Sequence, residues 1–223
     1  MGTELKPLLA GQLDFVLFDG SSSMQPQWWD CLAALEAMRQ RLVSAQVASH
    51  MLVSVFDTTD HAFVQRDVAV ADCPSFTQEP LRAYFDSTPL FDAINAMGRH
   101  LARLSPRQAS ILIVTDGEEN ASDTTLEEAR QVLDWCRAQG WQVTFMGVDF
   151  NNSRQARALG ADESNSIGVQ RRLLTAAAEL FAEKRVAYGH SGKSIRFSGE
   201  EKTEFGGYLV APGGKAPKSE PVA

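Results

Sequence analysis

Two short, β-favouring runs constrain this chain more than anything else in it: 14–18 (DFVLF) and 110–115 (SILIVT) each stop abruptly at an aspartate followed by glycine, Asp19-Gly20 and Asp116-Gly117. An apolar run of this length, bounded by polar turn residues, reads as a strand buried on both faces. Such a strand needs helices on either side of its sheet, and the intervening sequence supplies them. After Pro26, which suits a first helical turn, Trp29, Leu32, Leu35, Ala37, Met38 and Leu42 recur at helical spacing. Pro89 opens a second helix with Leu90, Ile94, Met97 and Leu101 on one face.

The remaining segments extend the alternation. Residues 50–57 (HMLVSVFD) and 61–68 (HAFVQRDV) read as strands joined tightly enough for a hairpin, one of them at an antiparallel edge. The stretch 72–88, with Pro74 and Pro80, reads as loop with one helical turn near 81–85. A helix over 125–139, a strand over 141–148, a short helix over 153–159 and a long one over 169–185 follow. Strands and helices in this order predict an α/β fold: a Rossmann-like, doubly wound, mostly parallel sheet with one antiparallel edge strand and helices on both faces. The folded domain is expected to span 1–187. Residues 188–223, rich in Gly, Pro, Lys and Ser and without apolar periodicity, are expected to form a flexible or docking tail, with FGGYLV (205–210) as an added edge strand or docking motif.

Charge and cysteine usage narrow the function. The net charge of −7 and pI of about 5.1 lack the concentrated basic face that phosphate backbones require, so nucleic acid is not an expected partner. Cys31, Cys73 and Cys136 are odd in number and widely spaced, which fits neither a disulfide framework nor a zinc site. No run approaches the ~20 apolar residues of a membrane helix, and Asp14 and Asp19 interrupt the only hydrophobic stretch near the N-terminus. A cytoplasmic protein is the expectation.

In a doubly wound sheet, ligands sit beyond the carboxyl ends of the strands. The loop after the first strand offers Asp19, Ser21 and Ser23 at alternate positions, the strand ending at Thr115 delivers Asp116 to the same edge, and Thr88 precedes the helix at Pro89. Two carboxylates and three hydroxyls make an oxygen-rich set suited to a hard cation such as magnesium. These segments resemble von Willebrand factor A domains: Asp19-Gly20-Ser21-Ser22-Ser23 matches the family's D-x-S-x-S motif, Thr88-Pro89-Leu90-Phe91-Asp92-Ala93 is similar to its second element, and Thr115-Asp116-Gly117 is similar to its third. The resemblance covers about residues 12–185. It implies a metal ion-dependent adhesion site in which Asp19, Ser21, Ser23, Thr88 and Asp116 hold Mg2+ or Mn2+, directly or through water, while a partner's acidic side chain completes the coordination. It also implies a non-enzymatic adaptor, since intracellular members of the family work beside AAA+ ATPases and stress-response systems, including tellurium resistance. Asp86 and Ser87 depart from the family pattern, where glycines are frequent.

Other features carry less. Residues 187–194 (AYGHSGKS) fit a relaxed phosphate-loop pattern, but they follow a helix rather than a buried strand. Glu118 and Glu119 read as a solvated helix approach, Ser22 and Asn120 as ordinary loop hydrogen-bonding residues, and Trp28 and Trp29 as core and helix surface. His50, His61, His100 and His190 are scattered, and the first loop lacks the second aspartate of a D-x-D phosphotransferase. Two alternatives to the adaptor stay open: a metal-dependent hydrolase of phosphate esters or nucleotides, and a structural subunit whose cation steadies its loops.

Overall fold

Successive side chains of a strand point to opposite faces, and here the two faces fill two separate cores. The fold is seen in a computed structural model that describes residues 11–58 and 63–207. In β1 (Gln12–Asp19), Leu13, Phe15 and Leu17 enter one core while Val16 and Phe18 enter the other. β4 (Gln108–Thr115) repeats the division, with Ile111 and Ile113 against Leu112 and Val114. The first core is roofed by α2 (Leu90–Leu104), α3 (Leu126–Ala138) and the short α4 (Ser153–Ala158), and the second by α1 (Trp28–Ser44) and α5 (Leu174–Ser191).

The six strands lie in the order β3-β2-β1-β4-β5-β6, where β2 is Ser49–Phe56, β3 Phe63–Ala69, β5 Gln142–Val148 and β6 Ser166–Val169. Every pairing is parallel except β2 with the edge strand β3. The expected doubly wound α/β sheet with one antiparallel edge strand is therefore what the chain forms. Strand order reverses between β1 and β4, and this switch point sets Asp19 and Asp116 side by side. No described helix is long and apolar enough to cross a membrane.

Several local expectations differ from the structure. Pro26 lies within a 3-10 turn, Ser22–Gln27, and α1 begins two residues later at Trp28. No helical turn forms over 81–85, because that loop is pinned to the strands: Tyr84 N–H donates to the Asp57 carboxylate at 2.9 Å and Phe85 N–H to the Gly20 carbonyl at 3.0 Å. β6 occupies residues that the reading assigned to a loop and to the start of a long helix, so α5 starts later, at Leu174, and ends later, at Ser191.

The stretch from residue 188, expected to form a flexible or docking tail, is not loose where it is described. As far as Gly207 it is packed. Ile195 is fully buried, Phe197 and Phe205 nearly so, and α6 (Gly199–Gly206) is closed at its start by a reciprocal capping box between Ser198 and Glu201. Phe197 N–H donates to the Ser164 carbonyl at 2.8 Å, Asn165 Nδ2 to the Ile195 carbonyl at 2.7 Å and Gln170 N–H to the Phe205 carbonyl at 2.9 Å. This segment thereby packs beside β6, the last strand of the sheet, tied to the residues just before and just after it. Of the FGGYLV motif, Phe205 and Gly206 belong to α6, and 208–210 lie outside the described residues. Residues 187–191 of the phosphate-loop match close α5, with Gly192 in the left-handed conformation (φ 70°) that ends it.

Candidate metal centre

The loop after β1 can lie close against β2 because its first residue is glycine. A Cβ on Gly20 would lie 2.7 Å from Val55 Cγ1 and 3.2 Å from the Phe56 carbonyl oxygen, so a side chain there would force the loop away from β2. Gly20 N–H instead donates to the Phe56 carbonyl at 2.8 Å. Beyond it, Ser22 N–H donates to the Asp86 carbonyl at 2.7 Å, and a bridge between Ser21 and Asp86 lays the 85–88 loop alongside.

A continuous hydrogen-bonded chain then joins four of the five expected residues. Ser21 N–H donates to Asp19 Oδ1 at 2.9 Å, the Ser21 and Ser23 hydroxyls are 3.1 Å apart, and Ser23 Oγ donates to Asp116 Oδ1 at 2.6 Å. Thr88, 2% exposed, is brought to the same edge from the loop before α2. Among the described residues no hydrogen bond joins its hydroxyl to the other four; its backbone is held by Asn120, whose Oδ1 accepts the Thr88 N–H at 2.9 Å and whose N–H returns to the Thr88 carbonyl at 3.2 Å.

Residues outside the expected set brace these groups. Thr115 Oγ1 donates to Asp19 Oδ2 at 2.6 Å and Gln27 Nε2 to Asp116 Oδ2 at 2.5 Å. Glu119, expected to be solvated, instead accepts the backbone N–H groups of Ala121, Ser122 and Phe91 at 2.8, 2.6 and 3.0 Å, tying the loop after β4 to the start of α2. Thr115 and Asn120 sit within or beside the quoted motifs, whereas nothing in the spacing of Gln27 marked it as a neighbour of Asp116.

Electrostatically the site is an accumulation of negative charge. Burial pushes the Asp19 carboxyl up to about 6, with the charge of Asp116 adding to the effect against the hydrogen bonds from Thr115 and Ser21. Burial also raises Asp116, to which the Asp149 carboxylate contributes. Among the described residues no ion pair reaches Asp19 or Asp116.

The donor set fits a small hard cation. No group of three or more His, Cys, Asp or Glu side chains among the described residues is arranged to hold a metal, so an ion here would rest on two carboxylates supplemented by hydroxyls. Adjacent oxygens of an octahedral magnesium site lie roughly 2.9 Å apart, given bonds of about 2.0–2.1 Å. The Ser21–Ser23 and Ser23–Asp116 separations of 3.1 and 2.6 Å bracket that spacing.

No protein-family model and no curated protein matches the sequence. Solved structures do match in shape. The vWF domain of the type V pili tip protein Mfa5 from Porphyromonas gingivalis superimposes with a TM-score of 0.68 at 9% identity, over 82% of this chain and 98% of that one. A von Willebrand factor type A protein from Catenulispora acidiphila gives 0.59 at 16% identity, over 80% and 43%. The fold is that of von Willebrand factor A domains. Proximal thread matrix protein 1 from the mussel byssus also matches it, at 0.58 and 18% identity over 81% and 46%. The chain thus spans less than half the length of the mussel and Catenulispora proteins. At these identities the von Willebrand factor A likeness concerns the fold, and the chemistry of this site rests on its own residues.

Proposed function

We propose that the protein is a divalent-cation-dependent protein-interaction module and not an enzyme. In this reading Asp19, Ser21, Ser23, Thr88 and Asp116 hold Mg2+ or Mn2+, directly or through water, and an aspartate or glutamate of a partner protein completes the coordination. The observation that carries it is a contrast within β1. Asp14 and Asp19 are both buried carboxylates of one strand, but Asp14 is ion-paired with Arg185 and takes the Ser49 hydroxyl at 2.5 Å, whereas Asp19 faces a second carboxylate and has no ion pair among the described residues. A buried charge without a counter-charge costs several kcal/mol, and a dication at the edge that Asp19 and Asp116 share would offset it.

The cation, when bound, supplies an electrophilic centre for an anionic oxygen. The chain's own residues do the rest. Two carboxylates balance a double positive charge while Ser21, Ser23 and Thr88 add oxygens without adding charge. Gln27 and Thr115 fix the carboxylate rotamers by hydrogen bonding the oxygens turned away from the serines and the Ser21 N–H. Asn120 and Glu119 clamp the two loops that deliver Thr88 and Asp116. The occurrence of the same fold in a pilus tip protein supports an interaction role by analogy of fold.

The experiment is affinity capture from the source cells with the wild type and Asp19→Ala, each with magnesium or with chelator. A partner retained by the wild type with magnesium, and lost in the other three conditions, is the expected result. Equal retention in all four would remove the cation site from the binding surface.

A further inference from the structure

The segment that matched a phosphate loop in the sequence is not one by topology, yet its last residues line a separate cleft. Lys193 and Ser194 border a cavity of about 570 Å³ enclosed by the second half of α5, the 192–198 strap and the start of α6, remote in sequence from the loops of the metal centre. Its walls carry three cationic side chains, Lys184, Lys193 and Arg196, and one carboxylate, Glu201. Lys184 Nζ is paired with Glu201 at 2.8 Å and lies over the Phe197 ring. Arg196 reaches the Ser164 hydroxyl at 3.2 Å and stands 4.0 Å from Asp162, a loose contact between exposed groups that contributes little. Among the described residues Lys193 has no ion pair and Arg196 only this loose one, so both bring positive charge to the cleft. Ser198 Oγ accepts the Glu201 N–H at 3.1 Å, which leaves its own proton to donate.

We propose that this cleft binds a phosphate monoester of a small organic molecule. A monoester carries roughly −1.5 to −2 charge and three strong acceptor oxygens, which matches Lys193 and the weakly engaged Arg196 beside the Ser194 and Ser198 hydroxyls. Arginine and lysine hydrogen bonds to phosphate are the charge-assisted, stronger kind. The volume lies within the ~300–1,000 Å³ of small-molecule sites and exceeds what a bare phosphate ion fills, and Ala187 and Phe197 give the organic part an apolar wall. The site is independent of the cation centre, so each can fail without the other.

The test is a titration of the full chain with phenyl phosphate, inorganic phosphate and sulfate at constant ionic strength, followed through backbone amide NMR shifts. Saturable shifts confined to the cleft residues at 164, 184–187 and 192–201, tighter for phenyl phosphate than for inorganic phosphate or sulfate, are expected. Lys193→Ala/Arg196→Ala should weaken phenyl phosphate binding at least tenfold, and Asp19→Ala should leave it unchanged. Both altered cleft residues are exposed, so the double variant should fold, and an unchanged amide spectrum away from the cleft checks this. Shifts that do not saturate, that are equal for all three anions, or that persist in the double variant would overturn the assignment.

Discussion

Asp19 is the residue on which the proposed function turns, and its surroundings make a sharp forecast for Asp19→Asn. The amide keeps the shape and can still accept the Thr115 hydroxyl; it gives up the hydrogen bond from the Ser21 N–H, but it also removes a buried charge without a counter-charge, whose cost of several kcal/mol outweighs one hydrogen bond. The metal-free variant should unfold at the same temperature as the metal-free wild type or higher. Magnesium at a hundred times its Kd should stabilise the wild type by about 2.7 kcal/mol and the variant by almost nothing, read by thermal unfolding with and without chelator. A wild type indifferent to magnesium would remove the cation from the account. Nearby, Phe85 (φ 58°) and Asp149 (φ 49°) hold left-handed backbone that costs non-glycine residues about 1–3 kcal/mol each. Phe85 is held there by its hydrogen bond to Gly20 and by edge contact of its ring with Trp28, at 5.5 Å between centroids. The meeting of Asp19 and Asp116 at one edge of the sheet was readable because an aspartate that stops a strand is a local pattern. Gln27 was not, because its meeting with Asp116 depends on how the turn after β1 folds back.

At the scale of elements, α6 and the strap before it behave as part of the domain. Ile195→Ala should cost about 2–5 kcal/mol, the range for emptying a buried aliphatic site, whereas the same change in a loose tail would fall within about 0.5 kcal/mol. Urea unfolding of the two proteins decides between these. The helices α1 and α2 were legible from apolar spacing at 3.6 residues, and α3 opens with a capping box between Thr125 and Glu128. β6 was not legible, since four residues containing a glycine have no period to detect. Nor was the packed segment after α5: Ile195, Phe197 and Phe205 are too far apart and too few to read as an amphipathic element, and each is buried by a neighbour distant in sequence.

For the molecule as a whole, acid stability should depend on Glu36, which fastens α1 to the loop after β3. Burial alone would raise its carboxyl, but hydrogen bonds from Arg39, the Phe76 N–H and Gln40 outweigh that and hold it down to about 2. A folded-state value below the unfolded 4.5 means that the stabilisation is present above about pH 4.5 and fades as pH falls towards 2. It amounts to on the order of 3 kcal/mol. Unfolding free energies measured at pH 7 and pH 3 should differ less in Glu36→Gln than in the wild type; an equal difference would show that this carboxylate does not govern acid stability. The sequence by itself determined the layered architecture and the edge at which the site lies, because both follow from short-range periodicity and from polar residues that end strands. Only the tertiary structure decided that Arg185 pairs with Asp14 while Asp19 has no ion pair among the described residues, that Gln27 and Asn120 brace the candidate site, and that residues 192–206 pack beside β6. Those are contacts between segments far apart in the chain, and no local pattern records which of them will meet.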